Sequence, residues 1–148
     1  MNLVNEMKLM FLSKSFNESF ARTTISAFIA GLDPTISELA DIKTAVSEAV
    51  TNSVVHAYKD TVGIVYIYAQ IYDTGKIIIK IKDRGLGIED VKQAMEPLFT
   101  TGGEDRAGLG FAVMQSFMDK IKVSSKKGRG TTVTLEKTII PRAAVKCV

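Results

Sequence analysis

The chain has 148 residues, one domain's worth with room for a sizeable core, and its 46% hydrophobic and 24% charged residues are the balance of an ordinary globular protein. The formal charge of +3 comes from scattered lysines and arginines with one short cluster at Lys126, Lys127 and Arg129, so nothing argues for direct nucleic-acid binding. The only cysteine is Cys147, which excludes an intrachain disulfide framework, and no signal peptide or membrane-length apolar run is visible; a cytoplasmic protein without membrane contact is expected.

In chain order, "EMKLMFLSKS" predicts a first strand over 6–13. Ser15 and Glu18 then stand at capping-box spacing before a helix over about 16–30, with Phe20, Thr24, Ala27 and Phe28 on one face and Gly31 as its stop. Asp33-Pro34 opens a longer helix whose apolar stripe is Leu39, Ile42, Val46, Ala49, Val50 and Val54. From Gly63 the period changes. "IVYIYAQIYD" and "KIIIKIKD", joined by "DTG", read as a hairpin of β-branched and aromatic strands. A short helix near 89–95 follows, then a Gly- and Thr-containing segment. "LGFAVMQSFMDK" resumes helical spacing, with Phe111, Met114 and Phe117 or Met118 on one side. "IKVSSK" and "TTVTLEK" flank "KGRG" as a second hairpin. Without repeats or a dividing linker, residues 1–148 are expected to form a single domain with a short C-terminal tail from about 139. Its fold class is predicted as an α/β two-layer sandwich, with helices on one side of a mixed, mostly antiparallel sheet.

Four stretches carry chemistry. On the second helix Glu48, Asn52 and His56 recur every four residues and share a row facing away from the apolar stripe. A carboxylate can take a proton from an attacking hydroxyl, and an amide oxygen is a hard ligand suited to Mg²⁺; a solvated helix face has the same pattern. In "DRGLGI", Asp83 ends a strand and could accept from an exocyclic amino group, with Gly85 and Gly87 permitting close approach; a glycine-rich turn with an Asx cap reads the same way. In "GGEDRAGLGF", Gly108 and Gly110 precede a helix start that would favour phosphate, Arg106 is placed to meet a terminal phosphate, and Thr100 and Thr101 sit in a lid candidate; a plain surface loop with an N-cap is the alternative. "GRGTTVTL" puts Gly128 and Gly130 in a hairpin with Thr131 at the head of the last strand; taken alone, a plain β-turn is the simpler reading.

Their order decides where each alone does not. No Walker G-x-x-x-x-G-K-[ST] is present, nor the H-R-D and D-F-G elements of ordinary protein kinases, so nucleotide binding would use another fold. The order resembles the GHKL (Bergerat) superfamily of ATP-binding domains: Glu48 and Asn52 look like the N box, Asp83, Gly85 and Gly87 like the first glycine box, and Gly108 and Gly110 like the second. "NESFAR", "LDPT", "SEAVTN", "PLFTT", "GLGF" and "GTTV" resemble one branch more closely, the sporulation-type anti-sigma factor serine kinases, over residues 5 to about 137.

That resemblance implies an ATP- and Mg²⁺-dependent protein serine/threonine kinase. It would phosphorylate and inactivate an anti-anti-sigma factor, hold a sigma-F-type sigma factor inactive, and form a homodimer. It further implies Glu48 as general base, Asn52 as Mg²⁺ ligand, and Asp83 with Thr131 as readers of adenine. Gly85, Gly87, Gly108 and Gly110 would lie along the nucleotide, with Thr100, Thr101 and Arg106 at the lid and Arg22 on the partner-facing surface. Thr51 would line the site. Ala57 departs from the glycine usual after the N-box histidine. The general-stress anti-sigma kinases share these motifs, and a sigma-sequestering module gated by nucleotide without kinase activity is the reading from another class.

Overall fold

The computed structural model describes residues 1–96 and 106–140, with side chains in the second stretch described from Gly110 onward. Five strands form one sheet in the order β1-β2-β3-β5-β4: β1 (Leu3–Leu12), β2 (Ile64–Tyr72), β3 (Lys76–Asp83), β4 (Lys120–Lys126) and β5 (Gly130–Thr138). Every neighbouring pair is antiparallel, where a mixed, mostly antiparallel sheet was expected. The expected hairpins join β2 to β3, turning at Gly75 (φ +84°), and β4 to β5.

One sheet face is built from period-2 apolar positions, Val65, Ile67, Ala69 and Ile71 on β2 and Ile77, Ile79 and Ile81 on β3, all buried. Against it lie α1 (Asn17–Ile29), α2 (Ile36–Thr51) and α4 (Arg106–Phe117); a short α3 (Val91–Ala94) precedes the undescribed stretch. α2 is the central helix, touching both α1 and α4; of its predicted stripe Ile42, Val46, Ala49 and Val50 are buried and Leu39 and Val54 partly so, and Ala45 is buried beside them. This is the two-layer α/β sandwich expected.

Several local expectations shift. α1 buries Ala21, Ile25 and Ile29, while Phe20 and Ala27 are exposed, so its core face is one position on from the predicted one. Phe20 instead meets Phe11 of β1 edge to face, at 6.3 Å between centroids. The capping box is not at Ser15 and Glu18: α1 has Phe16 at its N-cap and so starts without a side-chain cap, and the Glu18 carboxylate is taken by Arg22 and by Thr51. It caps α2 instead. There the Thr35 hydroxyl accepts from Glu38 N, and Glu38 accepts from Thr35 N at 2.8 Å. β1 begins three residues before its predicted start, at Leu3. α4 begins at Arg106, so Gly108 and Gly110 lie inside its first turns rather than ahead of it.

The feature that shapes the site is the end of α2. The helix continues as a π-helical turn over Asn52–Ala57, and Tyr58 closes it. The buried Tyr58 hydroxyl donates to Ile64 O and accepts from Arg84 N, both at 2.7 Å. One phenol thereby ties the helix end to the start of β2 and to the loop after β3.

Candidate functional site

The π-turn, the loop after β3, α3 and the inner face of α4 enclose a cavity of about 960 Å³, whose wall includes Asn52, Ser53, His56, Asp83, Gly87 and Thr131. A smaller hollow of about 470 Å³ lies on the opposite, helix-free sheet face around Lys8, Tyr68, Lys80 and Lys82, and holds none of the predicted site residues.

At the deep end Asp83 and Thr131 are cross-strand partners in the β3–β5 register, which sets them side by side. Asp83 is 4% exposed. Its Oδ1 accepts from Gly85 N at 3.0 Å and Thr131 N at 3.2 Å, and its Oδ2 accepts from Ser53 Oγ at 3.0 Å. Burial pushes the Asp83 carboxyl above its ordinary 3.8, while these three hydrogen bonds pull it back. The result is a held carboxylate facing the cavity, suited to receiving a donor hydrogen.

The predicted glycines have reasons of their own. A Cβ on Gly85 would strike the Ala57 carbonyl and one on Gly87 the Lys126 carbonyl, so these glycines admit close approach of the chain to itself, seating the loop between the π-turn and the β4–β5 hairpin. Gly110 meets the helix row: a Cβ there would stand 3.3 Å from Glu48 Oε2 and 3.4 Å from Asn52 Oδ1. α4 thus brings its glycine against the carboxylate and amide of α2, and the row is not a plain solvated face. His56 departs from that pair, because the π-turn intervenes; it stands in the cavity wall.

Among the described residues Asn52 Nδ2 is buried without a hydrogen-bond partner. The two ends of an amide exchange by a flip, so this orphaned position can present either a donor or an oxygen to a bound group. Among the described residues no cluster of three or more His, Cys, Asp or Glu could hold a metal. A Mg²⁺ ion needs no such cluster: one or two protein oxygens with phosphates and water suffice. Asn52, with Glu48 beside it, fits that requirement.

Arg22 lies outside the cavity wall yet touches its frame. Its Nη1 contacts Glu18 Oε1 and Ser47 Oγ, each at 3.2 Å, and Glu18 Oε2 accepts from Thr51 Oγ1 at 2.9 Å. α1 therefore grips α2 at the residues preceding Glu48 and Asn52. Thr100 and Thr101 lie outside the described residues, as does the side chain of Arg106; Gly108 is described only as part of α4.

Three polar residues of this frame escape a motif reading: Ser53, Tyr58 and Ser125. Ser53 is the buried neighbour of Asn52. Ser125 follows Ile121 and Val123 on the inward face of β4, where the alternation calls for an apolar residue. A polar residue breaking such an alternation is the available signal.

A family model of the histidine kinase-like ATPase domain matches residues 17–137. An anti-sigma F factor of Caldanaerobacter subterraneus subsp. tengcongensis is 61% identical over 136 residues, covering 91% of this chain and 94% of that one. Another, from Halalkalibacterium halodurans, is 51% identical over 143 residues, covering 95% and 97%. Among solved structures, the RsbU and RsbW domains of Rv1364c from Mycobacterium tuberculosis match with a TM-score of 0.68 at 20% identity, over 91% of this chain; the chain spans only 32% of that longer one, and the likeness shows the fold.

Proposed function

We propose a function for a chain that belongs to the histidine kinase-like ATPase domain family and, within it, to the anti-sigma F factors: it is an ATP-dependent protein serine kinase that also restrains a sporulation sigma factor. The observation that carries the reading is the convergence of Glu48 and Asn52 on Gly110 near a cavity that ends in the buried Asp83.

Asp83 accepts from the adenine amino group, with Thr131 beside it. Asn52 would hold Mg²⁺, which would neutralise charge on the phosphates, and Arg106 with Gly108 and Gly110 receives the terminal phosphate; Thr100 and Thr101 add contacts to the nucleotide. Glu48 takes the proton as the serine oxygen of an anti-anti-sigma factor bonds to the γ-phosphorus. The bond from that phosphorus to the bridging oxygen then breaks, and ADP leaves. Arg22, at the α1–α2 seam, belongs to the surface that meets the protein partners. We read residues 1–148 as one cytoplasmic domain, working as a homodimer and making no direct contact with nucleic acid or membrane.

The test is transfer of label from γ-labelled ATP, with Mg²⁺, to the anti-anti-sigma protein of the same organism. Wild type should transfer it, and Glu48→Gln should be slower by roughly 10²- to 10⁴-fold with ATP still bound, the usual contribution of a general base. Undiminished transfer by the variant removes Glu48 from the chemistry. ATP binding without transfer by wild type favours a nucleotide-gated sigma-sequestering module, and sole activity toward a general-stress partner would reassign the branch.

A further inference from the structure

The deep end of the cavity has a hydrogen-bond polarity that can be counted. Asp83 Oδ1 already accepts two main-chain N–H groups and Oδ2 accepts the Ser53 hydroxyl. A carboxylate oxygen offers two lone pairs, so Oδ1 is full and Oδ2 has one position left. Ser53 has a single proton, and its 3.0 Å contact with Asp83 takes it in preference to the 3.5 Å contact with Ala49 O.

The Thr131 hydroxyl is 2.8 Å from Ser125 Oγ, a contact that either oxygen could donate. Ser125 Oγ accepts from Ile88 N at 2.7 Å and lies 3.0 Å from Gly130 O. A carbonyl oxygen only accepts, so the one proton of Ser125 goes to Gly130. Thr131 must then donate to Ser125. Its proton points out of the cavity and its lone pairs face in. Ser125 is not part of the cavity wall.

We infer that Ser125 is a positioning residue which, through Thr131, makes the base-reading end of the cavity acceptor-only and thereby selects a purine with an amino group at C6 over one with a carbonyl there. The inference rests on the nucleotide reading proposed above. A 6-amino group donates to the last lone pair of Asp83. A 6-oxo purine in the same pose would set its oxygen against the carboxylate and the hydroxyl lone pairs, and one shifted to offer N1–H to Asp83 would still bring its 6-carbonyl beside them. Guanine turned to offer N1–H and its 2-amino group would need both Asp83 oxygens, and Oδ1 is full. The competing arrangement, with Ser125 donating to Thr131, would free the Thr131 proton for a 6-carbonyl but would leave Gly130 O without this bond. The Ser125–Gly130 bond is therefore what biases the site.

Equilibrium titration of the full chain with ADP and with IDP, its 6-oxo counterpart, tests this. Wild type should prefer ADP. Ser125→Ala releases the Thr131 proton and should narrow the ADP:IDP ratio by roughly tenfold, the worth of about one hydrogen bond, mainly through tighter IDP binding. Ser125→Thr keeps the hydroxyl and should keep the wild-type ratio. In a Thr131→Val background Ser125→Ala should change the ratio no further, because its route is gone. If Ser125→Ala melts too low to titrate, Ser125→Cys holds the volume with a poor donor and reads the same ratio. A ratio unchanged in Ser125→Ala, both nucleotides weakening together, would mean that Ser125 merely braces the loop at Ile88, and would overturn the inference while the nucleotide reading stands. An equal change with Val at 131 would overturn it too. Wild type that binds neither nucleotide would sink both.

Discussion

Asp83 shows how a residue can serve the site at a cost to the fold. A carboxyl whose folded pKa is raised contributes stability that is fully present below its unfolded value and lost as pH rises through the folded value. Burial raises Asp83, so at neutral pH the ionised form is a net burden that its three hydrogen bonds only partly offset. Asn at this position could keep those contacts: its oxygen would accept from Gly85 and Thr131, its NH₂ would donate to Ser53, and the Ser53 proton could turn to Ala49 O. We therefore expect Asp83→Asn to melt no lower than wild type at pH 7, with any advantage fading as pH falls toward 3.8, while ADP affinity drops about 10- to 100-fold for loss of a charge-assisted acceptor. In wild type, ADP affinity should fall as pH is lowered through the folded pKa. Thermal melts and titrations over a pH series read both, and a destabilised Asp83→Asn at pH 7 would contradict the sign.

At the scale of elements, α1 and α2 act as a clamped pair, and Arg22 lies in the clamp. Its ion pair with Glu18 is about a third exposed on each side, so losing it should cost under about 1 kcal/mol of stability. Arg22→Ala should accordingly leave ADP affinity within about a factor of two while weakening sigma-factor binding roughly 30-fold, as removal of a central interface arginine does. Calorimetry with each ligand separates these outcomes, and loss of ADP affinity instead would make Arg22 a support of the nucleotide site. The same pair marks what was legible beforehand. The stripe of α2, the β2–β3 hairpin and the Glu48/Asn52 pair follow from periodicity and motif order, because those signals are local. The core face of α1 is one position on from where periodicity puts it, since Phe20 finds an aromatic partner on β1 while Ala21, Ile25 and Ile29 turn inward. The capping-box spacing at Ser15 and Glu18 misleads because the N-cap of α1 falls one residue on, at Phe16, and Glu18 has partners 4 and 33 residues away. The Ser125–Thr131–Asp83 network depends on strand register, which composition does not encode.

At the scale of the whole molecule, the sheet has two open edges among the described residues, and they differ. β4 pairs only with β5 and carries exposed Lys120, Lys122 and Lys126, charges that discourage a further strand. β1 pairs only with β2 and exposes Leu3, Met10 and Leu12, with Met10 at 61%. A two-fold dimer needs a self-complementary surface, and among the described residues only the β1 side joins unpaired backbone to apolar side chains. The homodimer proposed for this chain is therefore expected to form along β1. Met10→Lys would set two like charges near one another across the axis without touching the cavity, which lies on the other face of the sheet. Sedimentation across a concentration series should show wild type as a dimer and Met10→Lys shifted to monomer, each binding one ADP per chain with unchanged affinity. A variant still fully dimeric would move the interface away from β1. A monomer that had also lost ADP binding would mean that the partner subunit supports the nucleotide site, a dependence that the separation of β1 from the cavity argues against.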